Sequence, residues 1–245
     1  MRTAVWTILA ASLPMVVAGV KADTVTLYWP SFSVQAGGEF TVVGTGPVNS
    51  GMGLYNPANL INGGFETFCL ETGVDFTPGV TYNYTLGSVT QPSSPANNSS
   101  TGGGFSLSVG AAYLYYEFAT GGLASLGFDY STADGGRAAS DDLVQAAIWA
   151  LQGGQTYGGY PSGTVNNPYY TFAVNAGSNP AAVAAVKTVQ VLQMWNSDGS
   201  PAQNQLVLTL DANPNSVLTP DGGLTAGLLG GAMLGLAALR RKLVG

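Results

Sequence analysis

The hydrophobic period changes halfway along the chain, and this change constrains the fold more than any other feature of the sequence. Polar and apolar residues alternate over residues 24–28, as in a half-buried strand, and residues 40–43, 65–71 and 81–86 are further strand candidates. Helical spacing then takes over, until the closing segment 205–210 alternates again. Strands followed by helices and a last strand predict an α+β fold, in which a β-rich domain (sandwich or barrel-like) carries about three helices.

Each of the three expected helices has a capping signal. The first begins at Ser106 or Ser108 and ends at residue 119, just before two glycines. The second is expected over residues 140–151, with Ser140 as its N-cap. The third is expected to begin at Pro180 and to run to about residue 195.

The lack of histidine removes several kinds of catalytic site. The chain has no histidine and one cysteine among its 245 residues. Ser-His-Asp and Cys-His catalysis, histidine-ligated metal sites and an intrachain disulfide are therefore excluded, and no cofactor is expected. Seven lysines and arginines stand against 13 acids, a net charge of −6, so binding of a nucleic-acid backbone is excluded as the main activity.

Both ends of the chain have the pattern of export and sorting signals. Residues 1–22 combine one early arginine, a long apolar stretch and a small residue before Asp23, as a secretory signal peptide does. Residues 219–223 break regular structure, residues 224–239 are apolar, and three cations follow directly. An uncleaved N-terminal anchor and a simple C-terminal membrane anchor are the alternatives.

The C-terminal order of turn, short apolar helix and cation cluster resembles the PEP-CTERM sorting signals, in particular the variant that begins Val-Pro-Asp-Ser-Gly. Thr219 stands where that variant has valine, and Gly222 stands where it has serine. The resemblance implies that an exosortase-type enzyme processes residues 219–245, and that the C-terminal helix holds the protein in the membrane before processing. The expected location is the cell surface or the extracellular matrix, and the expected domain is residues 23–218.

Two short motifs lie in this domain. The segment 68–71 (Phe-Cys-Leu-Glu) places Cys69 in a strand-like context, and the segment 145–149 (Gln-Ala-Ala-Ile-Trp) lies on the second expected helix. Together they resemble the thioester domains of bacterial surface proteins, in which an aromatic-Cys-aliphatic-acid strand precedes a helix with Thr-Gln-x-Ala; here Val144 replaces the threonine. The resemblance implies an internal thioester between the Cys69 sulfur and the side-chain carbonyl of Gln145, formed with loss of ammonia.

A thioester of this kind makes the protein a single-turnover acyl donor and not an enzyme. An amine or hydroxyl of an extracellular macromolecule attacks the carbonyl, the Cys69 thiolate leaves, and the partner becomes covalently bound. A strand and a helix hold the two groups at a high effective concentration. The expected early position of Gln145 in its helix places it near free N–H groups that stabilise an oxyanion. Adhesion or matrix cross-linking is the expected function.

Two other functions remain open from the sequence. A non-reactive extracellular matrix protein would bind polysaccharide through the tyrosines of a Gly- and Asn-rich stretch. These are Tyr157, Tyr160, Tyr169 and Tyr170. A carboxylate-dependent hydrolase would use acids close to the cysteine in sequence, namely Glu66, Glu71 and Asp75.

Two weaker hypotheses concern residues farther from the cysteine. Four aspartates offer oxygen ligands for calcium without the spacing of a known calcium loop. They are Asp129, Asp134, Asp141 and Asp142. Lys187 is a candidate for an isopeptide bond with an asparagine or aspartate, although the sequence identifies no partner for it.

Overall fold

A computed structural model of the chain describes residues 23–30, 38–45, 64–88, 105–131, 136–153 and 162–209. The expected signal peptide and the expected sorting signal lie outside the described residues, and so do Tyr157, Tyr160 and Asp134. Within the described ranges, none of the helices combines the length and the apolar character that crossing a membrane requires.

Six strands and four α-helices make up the described part of the chain, with one helix more than expected. In chain order they are β1 (Thr24–Tyr28), β2 (Phe40–Gly44), β3 (Phe65–Thr67), β4 (Thr81–Gly87), α1 (Val109–Ala119), α2 (Gly136–Leu151), α3 (Pro168–Ala173), α4 (Pro180–Val186), β5 (Val189–Trp195) and β6 (Gln205–Leu208). The prediction of a β-rich α+β domain is confirmed.

The strands form one antiparallel sheet that curls into a nearly closed barrel. Its strand order is β3-β2-β1-β4-β5-β6. The two outer strands meet, because Leu206 N donates to Phe68 O at 3.2 Å and Leu70 N donates to Asn204 O at 3.0 Å. These two bonds form a seam between β6 and the residues that follow β3.

The sheet separates two hydrophobic clusters. The inner cluster fills the barrel and includes residues of every strand, namely Val25, Leu27, Phe40, Val42, Phe65, Tyr82, Tyr84, Leu192, Met194 and Val207, together with Cys69. The outer cluster packs α1, α2 and α3 against the seam and its neighbour β5, at Phe68, Leu70, Val191 and Leu206. The seam residues therefore alternate between the barrel interior and the helix layer, as the two-residue period of a strand requires.

Strand β5 corrects one prediction. The helix that begins at Pro180 ends at Val186, so the expectation that it continues to residue 195 is wrong. Val189 and Val191 belong to the outer cluster, whereas Leu192 and Met194 belong to the inner one. A strand that is buried on both faces has an almost continuous apolar run, which periodicity alone does not separate from a buried helix.

Helix α2 begins one turn earlier than expected. It starts at Gly136, so Ser140 is not its N-cap; the Ser140 hydroxyl lies inside the helix and donates to Gly136 O at 3.2 Å. Gln145 is consequently in the third turn of the helix, whereas only the first four N–H groups of a helix lack intrahelical partners. The prediction that free helix N–H groups lie near Gln145 is therefore wrong.

The first residues of helices α1 and α3 follow side-chain capping signals that are present in the sequence. Helix α1 begins as one of the two expected alternatives, because the Ser108 hydroxyl caps it by accepting from Ala111 N at 3.1 Å. Helix α3 was not expected, although Asn167 caps it by accepting from Tyr169 N at 3.0 Å and Pro168 is its first residue. The same Asn-Pro signal that marks α4 is thus present at α3, inside a stretch that reads as a loop.

Candidate functional site

Cys69 lies on the seam of the barrel, two residues beyond the end of β3. It forms a single antiparallel bridge with Gln205, the first residue of β6. The backbone hydrogen bonds of the seam join the neighbours of these two residues and not the residues themselves. Cys69 and Gln205 are therefore a non-hydrogen-bonded cross-strand pair, the kind in which the side chains come closest on the same face of a sheet.

Gln145 contacts the backbone of Cys69. Cys69 N donates to the Gln145 Oε1 atom at 2.8 Å, and Gln145 Nε2 donates to Cys69 O at 2.7 Å. The structure therefore brings together the two residues that the sequence motifs single out. The contact, however, joins the carboxamide to the main chain of Cys69.

The Gln145 carboxamide takes the position of a strand beside Cys69. The N–H and C=O groups of Cys69 face away from β6, on the side where β2 pairs with β3. Strand β2 begins only at Phe40, which pairs with Thr67, and the chain turns away at Gly38 with φ +95°. Gln145 replaces the absent strand neighbour, and both backbone groups of Cys69 are satisfied by it.

The sulfur of Cys69 contacts two other glutamines. Its thiol donates to Gln203 Oε1 at 3.0 Å, and Gln205 Nε2 donates to Sγ at 3.4 Å. All three glutamines around Cys69 are buried, and Gln145 and Gln205 are fully so. The sequence analysis placed residue 205 on a strand but missed both Gln203 and Gln205 as site residues, and the only signal for them was the Gln-x-Gln spacing at the start of that strand.

Glu71 anchors the segment that carries these glutamines. Its buried carboxylate accepts from Asn204 N at 2.9 Å and also from the Asn204 side-chain amide. Its main-chain oxygen accepts from Gln203 Nε2 at 2.6 Å. The two stretches 69–71 and 203–205 are thus joined by side chains as well as by the seam.

The environment of Cys69 keeps its thiol protonated. Burial raises the pKa of the Cys69 thiol well above its usual range, and the hydrogen bond from Gln205 offsets only part of this rise. The nearby acids Glu71 and Asp75 raise the pKa further, because a negative charge disfavours a thiolate. Any attack by the sulfur must therefore be accompanied by transfer of its proton.

A buried ionic cluster lies next to this site, on the outer face of the sheet. The Arg137 guanidinium donates to both carboxylate oxygens of Glu39, with Nε–Oε2 at 2.8 Å, and donates through Nη1 to Tyr130 O at 2.9 Å. Burial and the Glu39 carboxylate raise the pKa of Glu66 to about 8, and the same two causes raise the pKa of Asp141 well above its usual range. The cluster joins the starts of β2 and α2 to β3.

The carboxylates considered for a hydrolase are dispersed. Glu66 faces the Arg137 cluster and Glu71 is held by Asn204, whereas Asp75 is exposed. Within the described ranges, no three carboxylate or thiol side chains are arranged to hold a metal ion.

The remaining candidate residues are distributed over the surface and the core. Tyr169 is a core residue with its ring 6.2 Å from that of Phe128, so it offers no free face to a sugar, whereas Tyr170 is half-buried. Lys187 is exposed just after helix α4.

Comparisons with known proteins add nothing to this geometry: no protein-family model, curated protein or solved structure matches the chain.

Proposed function

We propose that this is an exported surface protein in which Cys69 forms an internal thioester, and that it uses this bond to attach covalently to an extracellular macromolecule. The observation that carries the proposal is the contact between the Cys69 sulfur and the Gln205 carboxamide across the seam, with Sγ–Nε2 at 3.4 Å. A buried thiol next to a buried carboxamide has the two reactants of the bond in register, and such placement replaces a bimolecular encounter.

The contacts favour Gln205 over Gln145 as the residue that carries the acyl group. Both ends of the Gln145 carboxamide are engaged by the Cys69 backbone, at 2.8 and 2.7 Å, and the sulfur leaves the strand roughly at right angles to that plane. For Gln145 to react, both hydrogen bonds would have to break. Gln205 instead has its carboxamide beside the sulfur, and its Oε1 accepts no hydrogen bond in the described part of the chain. Thioester formation at Gln145 stays a prediction, which the mapping experiment below tests.

The proposed reaction is balanced without a cofactor. The Cys69 sulfur attacks the side-chain carbonyl carbon of Gln205, the S–C bond forms, the C–N bond breaks, and the thiol proton leaves with the nitrogen as ammonia. In the second step an amine or hydroxyl of the partner attacks the same carbon, the S–C bond breaks, and the proton of the nucleophile returns to the sulfur. The partner is then joined to the protein by an amide or ester bond.

Two features of the chain protect such a bond. Cys69 and Gln205 are buried, which keeps bulk water away from an ester-like carbonyl. Over residues 23–218 the sequence contains one lysine, Lys187, and no histidine, so few internal nucleophiles are available to discharge it.

Export and sorting complete the proposal. A signal peptide over residues 1–22 would direct export of the protein from the cytoplasm. A sorting signal over residues 219–245 would hold it in the membrane by the C-terminal helix until an exosortase-type enzyme processes it. A covalent adhesin or matrix cross-linker needs this location, because its partner is extracellular.

Methylamine labelling tests the proposal and locates the acyl carbon. Methylamine opens a thioester and leaves an N-methyl amide, about 14 Da heavier than the unmodified side chain, and fragmentation of the labelled peptide identifies the residue. We expect the label on Gln205 in the parent protein and no label in the Cys69→Ala variant. A label on Gln145 or Gln203 would move the acyl role to that residue. A parent protein with a free thiol and no label would contradict the thioester and favour a non-reactive matrix protein that binds polysaccharide.

A further inference from the structure

The Cys69 thiol is held in one direction by its two side-chain partners. It donates its proton to Gln203 Oε1 at 3.0 Å and accepts from Gln205 Nε2 at 3.4 Å. A donor bond on one side and an accepted bond on the other turn the sulfur lone pairs toward Gln205 and the proton away from it.

Gln203 is itself fixed at both ends of its carboxamide. Its Oε1 accepts from the thiol, and its Nε2 donates to the main-chain oxygen of Glu71 at 2.6 Å. The next residue, Asn204, is bound through its backbone N–H and its side-chain amide to the carboxylate of the same Glu71. A buried side chain with this many fixed contacts has one orientation, and it imposes that orientation on the thiol.

We propose that Gln203, anchored by Glu71, is a positioning residue that directs the Cys69 thiol at the Gln205 carboxamide. This inference rests on the proposed function and adds to it the residue that sets the direction of attack. Gln203 neither forms nor breaks a covalent bond. Its oxygen accepts the hydrogen bond of the Cys69 thiol until that proton leaves with the ammonia. It accepts a hydrogen bond from the thiol again once the proton of the partner's nucleophile has returned to the sulfur.

The rate of thioester formation tests this role. The full chain is recovered unfolded from inclusion bodies in denaturant at acidic pH, so that Gln205 still has its amide; it is then refolded by dilution, and its mass is followed with time. Gln203→Met removes the acceptor and keeps a side chain of similar length. We expect formation to slow by about a hundredfold, the cost of a reactant displaced by about 1 Å. Gln190→Met is the matched control, because Gln190 faces the barrel interior on β5 and its Oε1 accepts no hydrogen bond among the described residues.

The outcomes separate this inference from the proposed function. A parent protein that never loses ammonia overturns the proposed function itself. A parent that forms the thioester while Gln203→Met forms it at the same rate overturns the positioning role and leaves the proposed function standing. Equal slowing in Gln203→Met and Gln190→Met would also overturn it, because replacing a glutamine that does not contact the thiol would then have the same effect.

Infrared spectroscopy gives a readout that does not depend on the reaction. Cys69 is the one cysteine of the chain, so a Gln205→Met variant, which keeps its thiol, has a single S–H stretching band. We expect this band at the lower frequency of a hydrogen-bonded thiol, and a shift to higher frequency when Gln203→Met is added. A band at the frequency of a free thiol in Gln205→Met alone would overturn the proposal, even if the double variant does not fold.

Discussion

At the scale of single residues, three glutamines surround Cys69, and their contacts divide their roles. Gln145 satisfies the main chain, Gln203 orients the thiol proton, and Gln205 places its carboxamide beside the sulfur. The motifs predicted that Cys69 and Gln145 lie together, and they do. The positions of Gln203 and Gln205 beside the cysteine could not be predicted from the sequence. Residues 69 and 205 are 136 residues apart and meet only where the barrel closes.

The Gln145 contacts predict a loss of stability when they are removed. Gln145→Met leaves the buried N–H and C=O groups of Cys69 without partners, so we expect the free energy of unfolding to fall by about 2–4 kcal/mol. Urea denaturation measures this free energy. Gln190→Met is the control, because the Oε1 atom of Gln190 accepts no hydrogen bond among the described residues and the substitution therefore removes none there. An unchanged midpoint for Gln145→Met would show that the backbone of Cys69 does not depend on it.

The raised pKa of Glu66 predicts that stability falls as the solution becomes alkaline. A carboxyl whose pKa is raised from 4.5 to about 8 by folding stabilises the protein fully below the unfolded value, and that contribution is lost as the pH rises through the folded value. Denaturation midpoints should therefore decline between about pH 5 and pH 9. Asp141 adds to the decline, since its pKa is also raised.

The Glu66→Gln variant isolates this contribution. A neutral amide at residue 66 cannot ionise, so we expect the denaturation midpoint of this variant to decline less steeply with rising pH than that of the parent. The decline that remains is then due to Asp141 and the other titrating groups. A variant with the same slope as the parent protein would assign the pH dependence to other residues.

At the scale of elements, helix α2 connects the functional site to the ionic cluster. Its first turn contributes Arg137 to the cluster, and its third turn contributes Gln145 to Cys69. The sequence predicted this helix from its capping and apolar residues but placed its start at Ser140, because Ser-Asp-Asp resembles an N-terminus. The helix starts instead at Gly136, and its second residue, Arg137, is buried against Glu39, which is 98 residues away in sequence.

Contacts between residues distant in sequence also explain why strand β5 was predicted as part of a helix. Five of the seven residues of β5 are apolar and four of these are divided between the two hydrophobic clusters, so only its pairing with β4 and β6 identifies it as a strand. Where one face was solvated, as in β1, alternation was sufficient and the strand over residues 24–28 was predicted with its observed bounds. Local pattern was therefore sufficient for β1 and misleading for β5, although β6, which is buried at every position, was predicted as a strand.

The Arg137–Glu39 pair predicts a large effect of breaking it on one side. Arg137→Met leaves the Glu39 carboxylate buried without its guanidinium, so we expect the free energy of unfolding to fall by about 3–5 kcal/mol. Adding Glu39→Gln to Arg137→Met should recover part of this loss, since the neutral amide has a smaller desolvation cost. A double-mutant cycle measured by denaturation checks the coupling, and strictly additive single effects would contradict it.

At the scale of the whole molecule, the candidate site lies where the barrel closes. The strand order leaves β3 and β6 as the outer strands, and the Cys69–Gln205 pair joins them. A thioester at this pair would be a covalent link between residues 136 apart in sequence. The proposed bond would therefore hold the seam shut as well as react with a partner.

Opening that link should destabilise the molecule as a whole. A cross-link that closes a loop of this length restricts the unfolded chain by about 5 kcal/mol in the entropic treatment applied to disulfides. We expect methylamine to lower the melting temperature of the parent protein by about 10–20 °C and to leave that of Cys69→Ala unchanged. An equal response of the two proteins would mean that methylamine acts elsewhere.

The intact mass of the purified protein tests the central claim most directly. The parent is compared with its Cys69→Ala variant, each against the mass expected from its own mature sequence. We predict that the parent is about 17 Da light, the mass of one ammonia, and that the variant has its full mass. A parent of full mass whose Cys69 reacts as a free thiol after unfolding, with Gln205 intact and not converted to glutamate by hydrolysis, would contradict the thioester.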